Sequence, residues 1–63
     1  MCESTVFVRR GETEEKLAED VARVVPEGEE VRVLTLLGEE HRVRGTIRDI
    51  DLMAHKIILD EKS

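Results

Sequence analysis

A second cysteine is missing: Cys2 is the only one in 63 residues, which excludes a disulfide within the chain. Aromatic residues are nearly missing too. Phe7 stands alone, so the stacking platforms on which single-stranded nucleic acids lie are not available. Positive charge is in deficit: 10 Lys and Arg face 15 Asp and Glu, for a net charge of -5, which argues against a non-specific polyphosphate binder with a basic stripe. No apolar run approaches the roughly 20 residues that span a bilayer, and the opening residues lack the basic-then-apolar layout of a secretory leader. The expectation is a cytoplasmic protein without a membrane partner. A thiol stays reduced there and remains available as a soft metal ligand.

What is present points to a folded domain. Hydrophobic and charged residues each supply 40% of the chain, and the hydrophobic ones are clustered and patterned. Residues 1–63 make a single small domain, which at this size buries only about 60% of the surface its unfolded chain exposes. Domains with so thin a core usually need a disulfide, a metal or a partner chain. With no disulfide possible, self-association is the expected remedy.

Period-two alternation marks the strands. From Cys2 to Val8 the residues Ser4, Val6 and Val8 point one way and Thr5 and Phe7 the other, with Arg9, Arg10 and Gly11 read as the following turn. Cys2 shares the face of Val6 and Val8 by this parity. The stretch TEEKLAEDVARVVPEGEE stays ambiguous. Leu17, Ala18, Val21, Val24 and Val25 fall at helical spacing behind a possible Thr13 cap, yet two strand pieces, 15–18 and 21–25, broken at Glu19 and Asp20 and ended by Pro26-Glu27-Gly28, fit equally well. After Glu30, Val31, Val33 and Leu37 face one way and Leu34 and Leu36 the other. A strand apolar on both faces needs cover on both, and a second copy of the chain would provide it. Val43 and Ile47 then alternate with Arg42, Arg44 and Arg48. Gly45 stands where a core side chain belongs, which predicts a sharp bend or bulge. Because the apolar parity flips between Ile47 and Ile50, a further bulge near Arg48 and Asp49 is required. Lys56 to Asp60 forms the last strand. Four or five short strands bent at glycines predict an all-β protein, a small antiparallel barrel whose closure removes exposed edges.

Few residues offer chemistry. Cys2 and an adjacent nitrogen could chelate a metal: a terminal amine if Met1 is removed, or the Met1 amine and the Cys2 amide if it stays. Two chains would then surround an ion with planar nitrogen and sulfur ligands, the set that suits Ni(II) or Cu(II). The competing reading is a thiol with no function. His41 and His55 are fourteen positions apart, without zinc-finger spacing, and read as a strand or turn histidine and a turn histidine. Asp49 and Asp51 could project together as acid and base, but nothing around them supplies a nucleophile or a pocket. Arg42, Arg44 and Arg48 form a small basic strand face that could grip the phosphates of RNA, although acidic neighbours favour ion pairs within the sheet. No residue set for catalysis emerges, and the protein is not expected to be an enzyme.

Three stretches together carry a resemblance: MCESTVFV, EDVARVVPEGEEVRV and LLGEEHRVRGTIRDIDLMAHKIIL. Across nearly its whole length the chain resembles the CooT-type small nickel-binding proteins, a family also described as predicted RNA-binding proteins. The resemblance implies a homodimeric five-stranded barrel of SH3-like or Sm-like type, strand rather than helix over residues 14–25, and one Ni(II) held between the chains by Cys2 of each. It implies a metallochaperone or nickel-buffering role in the maturation of a nickel enzyme. RNA binding through Arg42, Arg44 and Arg48 is the alternative.

Overall fold

Val6 and Val8, flanked by Thr5 and Phe7, set a pattern that β3 repeats: every other residue turned inward, most of them β-branched. The computed structural model describes residues 4–62. Its five strands are β1 (Ser4–Arg10), β2 (Thr13–Glu27), β3 (Glu30–Thr35), β4 (Glu40–Asp51) and β5 (Lys56–Glu61). They close in sequence order into a barrel. The ladders β1/β2, β2/β3, β3/β4 and β4/β5 are antiparallel and the closing ladder β1/β5 is parallel. The parallel closure follows from an odd strand count, since in a five-strand meander the first and last strands run the same way. The core is Val6, Val8, Ala18, Val21, Val31, Val33, Val43 and Leu59, with Leu17, Val24, Ile47 and Ile57 packed against it.

β1 runs further than the sequence predicts. Arg9 and Arg10 remain in the strand, opposite Glu14 and Thr13, and the turn is Gly11-Glu12, with Gly11 at a φ of 63° that suits glycine in a tight hairpin. The turn after β2 is likewise later than expected, at Gly28 and Glu29, because Pro26 and Glu27 still pair with Val31 and Glu30.

The ambiguous stretch is neither a helix nor two strands but one continuous, bent strand. Asp20 takes a φ of 53°. Between the pairs Ser4/Val21 and Val6/Ala18 the register slips, so that two steps along β1 match three along β2. That bulge explains the misleading spacing: buried Ala18 and Val21 are three apart because the strand changes faces between them. The two halves of β2 serve different neighbours, residues 13–18 facing β1 and residues 23–27 facing β3, with Val21 paired to both.

β4 divides in the same manner, residues 40–44 pairing with β3 and residues 45–51 with β5. At the division Gly45 lies so close to β5 that a Cβ there would sit 1.8 Å from the Asp60 carbonyl oxygen. The predicted bulge near Arg48 is present between Ile47 and Asp49. Ile50 and Leu52 nevertheless stay out of the core. They occur where the β4/β5 ribbon has run past the last β3 pair, Glu30 with Arg44, and no layer covers them. Leu37 also departs from expectation. β3 ends at Thr35, whose N–H donates to the Glu39 carbonyl (3.0 Å) and whose Oγ1 accepts from the Glu39 N–H (3.1 Å). This closes a tight turn and leaves Leu36 and Leu37 in solvent.

Candidate metal centre

Cys2, the residue the sequence singles out for a metal, lies outside the described residues. The described chain begins at Ser4, and the surroundings of Ser4 are well defined. Ser4 pairs with Val21 on one side, and Val21 pairs in turn with Thr35. On the other side the Thr5 N–H donates to the His55 carbonyl (2.9 Å), and Thr5 faces Lys56. At about 4.8 Å per strand, this row from β5 through β1 and β2 to β3 is only about 14 Å wide. One end of it is the β4/β5 turn and the other is the β3/β4 turn, which the Leu36 N–H anchors to the Asp20 carbonyl (2.8 Å).

Both flanking turns carry exposed apolar side chains. Leu36 is 61% and Leu37 86% exposed in one, and Leu52 is 79% and Met53 93% exposed in the other. A hollow of about 140 Å³ at the start of β1 is lined by Ser4, Val21, Ala22, Arg23, Val24 and Ile57. Sequence parity misses this corner because Leu37 reads as core and the approach of residues 35 and 55 to the chain start depends on the bend in β2 and on barrel closure. The available signal is the concentration of Leu-Leu and Leu-Met pairs in turns.

The β4/β5 turn is held from within. Asp51 directs one carboxylate oxygen to the N–H groups of Met53 (3.1 Å) and Ala54 (3.0 Å). That oxygen is thereby occupied as a turn cap, while Asp49 stays on the strand. His55 follows in the left-handed region, at a φ of 55°, with its side chain exposed. His41 is in β4 opposite Val33, half-buried, with its Nε2 3.9 Å from Glu39 Oε1. No group of three or more His, Cys, Asp and Glu able to hold a metal occurs among the described residues. A metal would need the thiolate of Cys2.

The arginine face is largely neutralised. Arg42 donates to Glu40 (2.6 Å) and approaches Glu30 (3.9 Å), and Arg48 pairs with Asp60 (2.9 Å). Arg44 makes no ion pair among the described residues. The hydrogen bond from Arg42 holds the Glu40 carboxyl below its ordinary 4.5, with Arg32 adding to the effect, and Glu40 in turn raises Arg42. At the opposite end of the barrel a hollow of about 250 Å³ lies among Gly28, Glu29, Gly45, Asp60 and Glu61. Its carboxylates are already engaged, Glu29 by Lys62, Asp60 by Arg48 and Glu61 by Arg10. No helix is long and apolar enough to cross a membrane among the described residues.

The chain is similar to known proteins over nearly its whole length. The CooT family, described as CO dehydrogenase accessory protein CooT, matches residues 1–60 and so includes Cys2. A crystal structure assigned as CooT from Carboxydothermus hydrogenoformans superposes with a TM-score of 0.85 at 26% identity, covering 98% of this chain and 100% of that one. An uncharacterised protein of Archaeoglobus fulgidus is 50% identical over 42 residues, 67% of this chain and 93% of its own length. A family match over 60 of 63 residues, on a barrel of the same shape, establishes that the chain belongs to the CooT family.

Proposed function

We propose that this protein binds Ni(II) as a homodimer, with one ion held between two chains by the Cys2 thiolates and neighbouring backbone or terminal nitrogens. The observation that carries the reading is the corner itself: β1 begins between two turns whose leucines and methionine are exposed. On this reading the Cys2 thiolate, two residues and so at most about 7 Å of chain ahead of Ser4, serves this corner. A second copy seated on the same apolar rim would cover Leu36, Leu37, Leu52 and Met53 and bring a second thiolate to the first.

The family's description as an accessory protein for CO dehydrogenase supports a role in supplying nickel to an enzyme, by delivery or by buffering, with no reaction catalysed by the chain. Nickel bound by two thiolates and two nitrogens is planar and strong-field, a geometry such ligands favour. The RNA-binding reading through Arg42, Arg44 and Arg48 has less support, since two of the three cations already face carboxylates.

Titration of the purified protein with Ni(II) is expected to saturate near half an equivalent per chain and to develop thiolate-to-metal charge-transfer absorption. Cys2→Ser is expected to lose both. Equal affinity in the Cys2→Ser protein would end the nickel reading, and salt-sensitive RNA binding that survives Cys2→Ser would put the arginine face in its place.

A further inference from the structure

We infer that the free edge of β4, residues 46–51, is a docking strand for an extended segment of a partner protein in which basic and apolar residues alternate. The inference is independent of the nickel reading and starts from the way the ring closes. β2 and β4 are each shared between two neighbours, so each of their halves is paired along one edge only: residues 13–18 with β1, 23–27 and 40–44 with β3, and 45–51 with β5. The Gly45 N–H donates to the Glu29 carbonyl (2.8 Å), and past that bond β4 meets no backbone partner other than β5 among the described residues. Antiparallel pairing turns the N–H and C=O groups of alternate residues away from the partner strand. This stretch therefore offers an unfilled ladder.

Unpaired edges invite a further strand, and proteins guard them with charges, proline or bulges. Along residues 13–18, Glu14, Glu15 and Lys16 are held in ion pairs with Lys56, Arg10 and Glu19. Along residues 40–44, Glu40 and Arg42 pair with each other, and Pro26 deprives residues 23–27 of a donor. The remaining half-strand differs. It has a bulge between Ile47 and Asp49, but from Asp49 to Asp51 its register against β5 is regular, and Ile50 there is 53% exposed.

The side chains select the strand that fits. Asp49 and Asp51 lie opposite Ile58 and Lys56, and Ile50 between them lies opposite Ile57, so the aspartates share one face of the sheet and Ile50 is on the other. Asp49 makes no ion pair among the described residues, and Asp51 uses only Oδ1 in capping the β4/β5 turn. An incoming strand would set an apolar residue beside Ile50 and a lysine or arginine beside each aspartate. The net charge of -5 favours the approach of such a segment. Main-chain bonds supply affinity and the side chains specificity, the mode in which sheet edges take up peptides.

The test uses the metal-free full chain and a fluorescently labelled, end-capped peptide of alternating lysine and valine, followed by anisotropy. Comparison peptides are alternating glutamate and valine, the same lysines and valines gathered into separate blocks, and the alternating peptide with proline at its central valine, which lacks the N–H a ladder needs. The alternating lysine peptide is expected to bind, each comparison peptide at least about tenfold more weakly, and Ile50→Lys to weaken binding by a similar factor. Bound peptide is expected to slow amide hydrogen exchange within residues 46–51. Equal binding of the block or proline peptide would reduce the attraction to charge alone and overturn the proposal, as would unchanged affinity in Ile50→Lys or protection that falls elsewhere on the barrel. Should Ile50→Lys lower the melting temperature, Asp49→Lys carries the same comparison from an exposed position. A failed Ni(II) titration leaves the docking strand standing, and an alternating peptide that does not bind overturns it without touching the nickel reading.

Discussion

Single residues decide where this chain can bend. Gly45 is the clearest case, because any side chain there must enter the space of the Asp60 carbonyl oxygen, 1.8 Å from an ideal Cβ. That neighbour is backbone within a paired strand and cannot rotate away. Gly45→Ala is thus expected to destabilise the protein by about 3 kcal/mol, at the upper end of overpacking costs, which is most of what a core of this size provides. Urea unfolding monitored by circular dichroism would measure it, and a change below about 0.5 kcal/mol would mean the strands separate easily at that point. The sequence already marks Gly45 as a place where a core side chain is missing. It does not reveal what occupies the space, because Asp60 is fifteen residues away and reaches Gly45 only through the β4/β5 pairing.

Strands and turns show where local patterns suffice. Val6 and Val8, Val31 and Val33, and Val43 all face inward as period two predicts, and the bulge at Arg48 follows from parity alone. β2 defeats the same reasoning, since a bend at Asp20 resets its parity midway and imitates a helix. The outer face of the β3/β4 ribbon carries a different prediction. Arg42 and Arg32 hold Glu40 below its ordinary 4.5, so the folded state favours ionised Glu40 and gains stability that is present above that value. The gain is lost as pH falls through the lowered folded value, where Glu40 protonates. Wild type and Glu40→Gln are expected to differ in melting temperature at pH 7 and to converge in acid, once the pH has passed well below the lowered folded value. A difference that persists in acid would assign the effect to packing rather than to the ion pair.

At the scale of the whole molecule the barrel has a decorated end and a plain one. The end where β1 starts collects Leu36, Leu37, Leu52 and Met53 in two turns, an apolar concentration of the kind that marks an interface. The sequence anticipates self-association, but from a doubly apolar β3; the exposed residues lie instead in the turns that flank the chain start. If the proposed dimer forms through this end, Leu37→Glu combined with Met53→Glu is expected to leave a monomer by light scattering after gel filtration and to lose the proposed half-equivalent nickel stoichiometry. A dimer that survives both charges would place the interface elsewhere on the barrel. Cys2 stands out in the sequence as a lone thiol beside terminal and amide nitrogens, and the family resemblance adds weight to a metal there, because no spacing within one chain surrounds it with ligands.

The parallel ladder between β1 and β5 ties the first strand described to the last, from Thr5 with Lys56 to Arg9 with Asp60. Contacts so distant along a chain form late, after much loop-closure entropy has been lost. During synthesis, β1 must wait until β5 has left the ribosome before its second neighbour exists. The bond from the Thr5 N–H to the His55 carbonyl belongs to that same late step, so the first strand is held along one edge alone until the last has formed.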